Sequence, residues 1–335
     1  MNRMLLKIAC LSVLMMSSAL AMDPSYASPL ATEGRSVKQD LNLQLVEAAL
    51  DGDTQQVEQL LTQGADVNAQ NNNGKTALMT AAEWDHKKIC ELLLASGAHV
   101  NAQDNDDNPA LTLAAINDHE EICELLIAKG ADVNAQSKYG NTALMRTIIR
   151  GYQKICELLI AKGVDVNAQD NDGDTALMRA VEWGYKKICE LLIANGADLN
   201  AQNNDGDTAL IWAAQNGYKK ICELLIASGA DVNAQNKYRS TALNEAAMHG
   251  HKEICELLIR AIVKLSKQER SEVSTLLSIK KRNIPGLHSD TKRMIALTRL
   301  DDIKRLKKET AREEIIKMGN ETLKQELLKY LESIK

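Results

Sequence analysis

Six cysteines, Cys90, Cys123, Cys156, Cys189, Cys222 and Cys255, recur at one fixed spacing of 33 residues. Regularly placed thiols are candidates for redox exchange or soft-metal binding. The spacing itself argues against crosslinks. Equivalent residues of successive stacked layers lie about 8–10 Å apart, whereas a disulfide needs Cα atoms within about 7 Å. No Cys-x-x-Cys pair is present, so these residues read as small buried apolar filler. The Asp-rich turns invite a calcium reading. Aligning Gly173 with the glycine of an EF-hand loop puts Ala168 at the first ligand position and Arg179 at the last, and the pattern fails. The six histidines fall at turns and helix starts, and His249 and His251 read as caps. No phosphate-binding glycine loop, His-Glu-x-x-His or Gly-x-Ser-x-Gly occurs. No catalytic residue, metal site or cofactor is expected.

What remains is the spacing. Gly64-Ala65-Asp66-Val67-Asn68-Ala69-Gln70 returns from Gly97, Gly130, Gly163, Gly196 and Gly229 with few changes. Thr-Ala-Leu-Met runs from Thr76, Thr142 and Thr175, and Ile-Cys-Glu-Leu-Leu starts at Ile89, Ile122, Ile155, Ile188, Ile221 and Ile254. A strict period in this range means identical units stacked side by side. In the unit from Asp170 to Gln202, Asp170 to Asp174 is turn chemistry with Gly173 at a positive φ. Thr175 caps a short helix with Leu177, Ala180 and Val181 on one face, ended by Gly184. A longer helix from Lys186 turns Ile188, Cys189, Leu191 and Leu192 inward and Lys186, Lys187 and Glu190 outward. Gly196 closes it in a left-handed conformation, and Leu199, Asn200 and Ala201 form an extended return.

These phased signatures resemble the ankyrin repeat, over about seven units in residues 41–265. Where the family carries Thr-Pro-Leu-His, this chain has Thr-Ala-Leu-Met, so apolar Met79, Met145 and Met178 replace a hydrogen-bonding histidine. The implied fold is all-α: a solenoid of paired antiparallel helices joined by β-hairpin-like turns, with Leu41 to Gly64 as a cap bearing one polar face. The resemblance implies a protein partner bound along the concave face of hairpin tips and first helices. Carried over position by position, the candidates are Lys75, Glu83 and Trp84; Ile116 and Asn117; Lys138, Tyr139, Ile149 and Arg150. Further along they are Asp172, Asp174, Glu182 and Trp183; Asp205, Asp207, Gln215 and Asn216; and Lys237, Tyr238, Met248 and His249. With aromatics at 3% of the chain and no Phe, Trp84, Tyr139, Trp183 and Tyr238 stand out as anchors. Trp212 reads as a packing residue.

Three copies depart from the pattern. Asn108-Pro109 replaces the usual residue-Thr pair, and Asn108 is expected to cap with Pro109 at the first helical position. Thr147 and Ile148 take the place of small residues and should push their helix outward. Asp107 and Arg239 replace turn glycines; Asp tolerates the left-handed region, whereas Arg239 implies strain or another turn type.

At the N-terminus, Arg3 and Lys7 precede the uncharged stretch Ile8 to Leu20, and Ala19-Leu20-Ala21 fits a cleavage site, as in a bacterial-type export signal. Residues 1–21 are therefore expected to be a signal, 22–40 a linker, and the protein exported to a periplasmic or extracellular compartment. No later stretch is apolar and long enough for a transmembrane helix. Residues 1–260 carry 22 Lys plus Arg against 34 Asp plus Glu, and residues 261–335 carry 18 against 11. An acidic array argues against nucleic acid as its partner. Beyond residue 265 the period is lost, and helices are expected from Ser289-Asp290, Asp301-Asp302 and Asn320-Glu321. This segment reads as a cap on the stack. Its basic residues Lys280, Lys281, Arg282, Lys304, Arg305, Lys307 and Lys308 leave open contact with an anionic membrane surface. An enzymatic or toxic activity in residues 266–335 is the alternative to a purely binding protein.

Overall fold

The computed structural model describes residues 37–264, 305, 307–313, 315–316 and 321–333. The expected signal, most of the linker, the helix starts at Ser289 and Asp301, and the basic residues Lys280, Lys281, Arg282 and Lys304 lie outside the described residues.

Seven helix pairs follow one another: α1 (Val37–Asp51) and α2 (Thr54–Thr62), α3 (Ala77–Glu83) and α4 (Lys87–Ala95), α5 (Ala110–Ala115) and α6 (Glu120–Ala128), α7 (Ala143–Arg150) and α8 (Gln153–Ala161), α9 (Ala176–Glu182) and α10 (Lys186–Ala194), α11 (Ala209–Gln215) and α12 (Lys219–Ser228), α13 (Ala242–Met248) and α14 (Lys252–Val263). α1 begins at Val37, inside the stretch expected as linker. Each first helix packs on the first helices before and after it, and each second helix likewise. From α3 onward the first helices are the shorter set, yet they are pressed together more closely. Their contact faces carry Ala77, Ala81 and Ala82, Ala114 and Ala115, Ala213 and Ala214, all buried, and side-chain size sets how near two helix axes come.

The core is a continuous seam of the repeated residues. Leu78, Leu111, Leu144, Leu177, Leu210 and Leu243 are buried from the first helices, and each second helix from α4 onward contributes an Ile, a Cys and a Leu. Truncating one such leucine to Ala costs about 2–5 kcal/mol. Among the first helices from α3 onward, all but α5 start on a threonine whose hydroxyl accepts a bond from the backbone N–H three residues on, as Thr175 does from Met178 at 3.3 Å. Such a cap contributes about 1 kcal/mol.

The repeated Asp-Val-Asn-Ala-Gln is not an extended return. Asp66 closes a turn, accepting the Asn68 amide on its side chain at 3.0 Å and the Ala69 amide on its carbonyl at 3.0 Å. That turn aims Asn and Gln at the next unit. Asn134 Oδ1 accepts from the Asp165 amide at 2.7 Å, and Gln169 Nε2 donates to Gly173 O at 2.7 Å and Gln202 O at 3.1 Å. The most repeated polar residues thus staple one layer to the next.

The cap expected from Asn108 does not form. Pro109 occupies the N-cap position without a side-chain bond, and the Thr112 amide turns to its carbonyl at 3.1 Å. The Asn108 Nδ2 donates to Asp104 at 3.2 Å, and its Oδ1, the atom that would cap the helix, accepts instead from Arg146 Nη1 at 2.6 Å. Thr147 and Ile148 are fully buried, and Thr147 Oγ1 donates to Ala143 O at 2.6 Å. Asp107 and Arg239 both keep the left-handed conformation, with φ of 60°. Arg239 thus retains the turn type and bears its strain.

The last second helix is covered in turn. α15 (Glu321–Ser333) packs on α14, with Leu327 and Leu331 buried and Lys252 paired to Glu326 at 2.5 Å. Arg260 lies over the Tyr330 ring, 5.4 Å from its centroid. Lys307 donates to Lys264 O at 3.0 Å, and Arg305 pairs with Glu309 at 3.8 Å. No helix among the described residues is long and apolar enough to cross a membrane.

Candidate functional site

The hairpin tips form a row because their backbones are tied across units. The amide of Asn105 donates to Asn73 O at 3.1 Å, Lys138 to Asp106 O at 3.0 Å, Asn171 to Tyr139 O at 3.1 Å, Asn204 to Asp172 O at 2.9 Å and Lys237 to Asp205 O at 2.9 Å. Within each tip one side chain folds the loop. Asp170 Oδ1 accepts the amides of Asp172 and Asp174 at 3.0 and 2.9 Å, and Asn236 does the same for Tyr238 and Ser240 at 3.0 and 2.9 Å. At three tips the base closes as an isolated antiparallel bridge, such as Gln169 to Thr175. The hairpin-like turns are therefore present in minimal form, and they hold their apex side chains at fixed positions beside the ends of the first helices.

Of the aromatic candidates, Trp84 is 56% exposed, Tyr139 60% and Tyr238 78%, and Met248 is 72% exposed. Trp183 is half-buried. Trp84 and Trp183 are the C-terminal caps of α3 and α9, so both lie where the first helix hands over to the second. Lys138 pairs with Asp106 and lies 5.1 Å from the Tyr139 ring centroid, which holds that ring beside the tip. The Asp106 hydrogen bond raises the Lys138 pKa above its ordinary value, with Tyr139 adding to it. Lys75 and Glu83 join tip to helix end at 2.6 Å. Arg150, Lys237 and His249 are exposed, and Ile116, Asn117, Ile149, Glu182, Asp205 and Gln215 are half-buried. Asn117 and Asn216 donate to the carbonyls of Leu113 and Trp212, both at 2.9 Å.

Two candidates are withdrawn from contact. Asp174 is buried, accepting from Asn203 at 2.8 Å, and Asp207 is buried, accepting from Asn236 at 2.8 Å and from Trp212 Nε1 at 3.3 Å. Their partners come from another unit or from the helix, and no reading of a single unit exposes them.

The carboxylates of Asp170, Asp172 and Asp174 converge to within 4.8 Å of one another. Their counter-charge is internal. Arg179 Nη2 lies 2.5 Å from Asp170 Oδ2 and 3.1 Å from Asp174 Oδ2, and its Nη1 lies 3.3 Å from Glu182. Burial draws the Arg179 pKa down, but the Asp170 hydrogen bond and the charges of Asp174, Asp170 and Glu182 outweigh it, and the net shift is upward. Burial raises the pKa of Asp174 despite Asn203 and Arg179. The position occupied by Arg179 recurs as Thr80, Leu113, Arg146, Trp212 and Glu245, between the tip and the end of each first helix. Reasoning from the repeat signature misses it. The available signal is the residue after Thr-Ala-Leu-Met, which is Thr80 in one copy and Arg146 or Arg179 in others.

The thiols offer no chemistry at this surface. The six repeat cysteines are free and buried on the second helices, and burial pushes each thiol up to about 12. His86, His119 and His251 precede three of them by four residues, but their Nε2 atoms bond the carbonyls of Leu50, Glu83 and Gln215 in the preceding unit, at 3.1, 3.0 and 3.2 Å.

Comparison with known families agrees with this geometry. A family model described as ankyrin repeats, three copies, matches residues 45–137, 134–203 and 195–269. No curated protein matches the chain.

Proposed function

The chain belongs to the ankyrin-repeat family, and from that premise we propose that it is a non-enzymatic scaffold, binding a protein partner on the face of hairpin tips and first-helix ends after export from the cytoplasm. The observation that carries the reading is a set of exposed large side chains, Tyr139 and Tyr238 on tips whose backbones are tied unit to unit and Trp84 and Met248 at first-helix ends. Large rings held in water by a stiff backbone lose little conformational freedom on binding and supply most of their area at contact. The packing of α15 on α14 supports a capping role for the C-terminal segment, because the end of a repeat array otherwise presents an apolar face to water. Export rests on the composition of residues 1–21.

The test is affinity capture from the native compartment with the wild-type chain and a Trp84→Ala, Tyr139→Ala, Trp183→Ala triple variant. Each anchor is expected to contribute about 2 kcal/mol or more, so the triple variant should lose its partner almost completely while keeping its helical circular dichroism. Undiminished capture by a folded triple variant removes the assignment of this face. Recovery of the wild-type chain from the cytoplasm with residues 1–21 intact removes the export reading.

A further inference from the structure

In three units a polar side chain one turn into the first helix is matched to the turn of its own unit. Arg179 meets Asp170 and Asp174, Trp212 donates to Asp207, and Glu245 accepts from Ser240 Oγ at 2.6 Å. The third full unit carries the same arginine as the fourth but not its partners. Ser137, Asn141 and Ile149 stand at the positions of Asp170, Asp174 and Glu182, so all three carboxylates that surround Arg179 are missing around Arg146. Arg146 turns back instead to the preceding unit, where Nη1 donates to Asn108 Oδ1 at 2.6 Å. That acceptor is neutral. Two carboxylates of that unit act on Arg146 without an ion pair: Asp104, which accepts the amides of Asp106 and Asn108, both at 2.9 Å, and Asp106, which pairs with Lys138. No carboxylate among the described residues forms an ion pair with Arg146. Asn141 Oδ1 is likewise buried without a hydrogen-bond partner.

A half-buried guanidinium without a direct ion pair is costly in a folded chain, since it has lost water and meets opposite charge only beyond ion-pair distance. Burial lowers the Arg146 pKa and Arg150 adds to the shift, outweighing Asp104 and Asp106, the reverse of the net outcome at Arg179. A planar guanidinium fits a carboxylate through two parallel N–H···O bonds. Tyr139, Ile149 and Arg150 lie in the same unit, the first 60% exposed.

We propose that Arg146 receives an Asp or Glu side chain of the protein partner, which takes the place that Asp170 and Asp174 fill beside Arg179. The proposal rests on the tip-and-first-helix face being the interaction surface. It adds the partner's chemistry: an acidic residue with an apolar neighbour to lie on Tyr139 and Ile149.

Phage-displayed random dodecapeptides selected on the immobilised full chain provide the probe. The peptides recovered should carry an acidic residue. Replacing it by its amide should weaken binding about tenfold or more to the wild-type chain, and have almost no effect on binding to Arg146→Met, the coupling expected of a direct pair. Peptides without an acidic residue, an amide replacement that weakens both chains equally, or a library yielding no binder would overturn the proposal. Peptides that lose affinity on Tyr139→Ala but show no coupling to Arg146 would leave the face standing and remove only the pairing. Indifference to Trp84, Tyr139 and Arg146 together would remove the face as well. Thermal unfolding supplies a check that needs no ligand. Arg146→Met should lower Tm less than Arg179→Met, because Arg179 neutralises buried carboxylates and Arg146 does not; an equal or larger fall for Arg146→Met would assign it a structural role.

Discussion

At the scale of single residues, two glycines with the same sign of φ do different work. Gly173 has φ of 76°, and a Cβ there would lie 2.8 Å from the Asn204 amide nitrogen and 3.0 Å from Asn203 Cα, both in the next unit. Gly196 has φ of 85° and nothing within 4 Å of an added Cβ. Alanine at either position bears the left-handed penalty of about 1–2 kcal/mol. Gly173→Ala must also push two tips apart. Its loss of stability should be at least twice that of Gly196→Ala when urea midpoints are compared; equal losses would show that the tips are not in close contact. The same contrast explains Arg239, which occupies the turn-glycine position on the last tip of the array. Gly206, one unit earlier, faces Lys237 N at 2.9 Å, whereas the period ends after the Arg239 tip, so its side chain has no following tip of this series to displace.

At the scale of elements, the first helices from α3 onward are only six to eight residues long, too short to persist alone in water. A threonine cap, small contact residues and a neighbour on each side hold them. Where Pro109 removes the cap, α5 is also the shortest of them. The C-terminal end of the array depends on α15, whose Leu327 is fully buried and whose Lys252–Glu326 pair is exposed and contributes little. Docking is therefore apolar. Leu327→Ala should weaken the contact by about 2–5 kcal/mol and release residues 321–333 to rapid amide exchange and proteolysis, with the repeats still helical. Persistent protection of that helix would mean the segment is held by something other than its packing on α14.

At the scale of the whole molecule, the six thiols form a distributed alkaline liability. Each folded-state pKa is raised to about 12, against about 8.5 in an unfolded chain. The unfolded state therefore binds fewer protons between those values, and stability falls as pH rises through that window. Below about pH 8 the contribution is complete; above it each thiol removes about 1.4 kcal/mol per pH unit. Urea midpoints should be flat near neutrality and fall steeply above about pH 9. A variant with Cys123, Cys156 and Cys189 replaced by Ala should show roughly half the slope. An unchanged slope would assign the alkaline loss to other groups.

Much of the chain's organisation is legible in the amino-acid sequence by itself. The period, the paired helices, the threonine caps, the left-handed glycines and the buried row of cysteines follow from local chemistry repeated in phase, and local chemistry reads directly from residue order. What the sequence leaves undecided concerns residues whose partners lie a unit away. Asp174 and Asp207 look like exposed tip carboxylates, yet Asn203 and Asn236, each 29 residues on, bury them. Asn108 looks like a helix cap, yet Asp104 and Arg146 claim its side chain. Arg146 and Arg179 share one repeat position and one local sequence, Thr-Ala-Leu-Met-Arg. The carboxylates that neutralise Arg179 are in its own unit and absent from that of Arg146, but the turn of Arg146 to Asn108 of the preceding unit is seen only in the folded stack. The reason is physical: a repeat fixes its own backbone through short-range bonds, but which of its polar side chains are buried or bonded depends on what the neighbouring layers bring within reach.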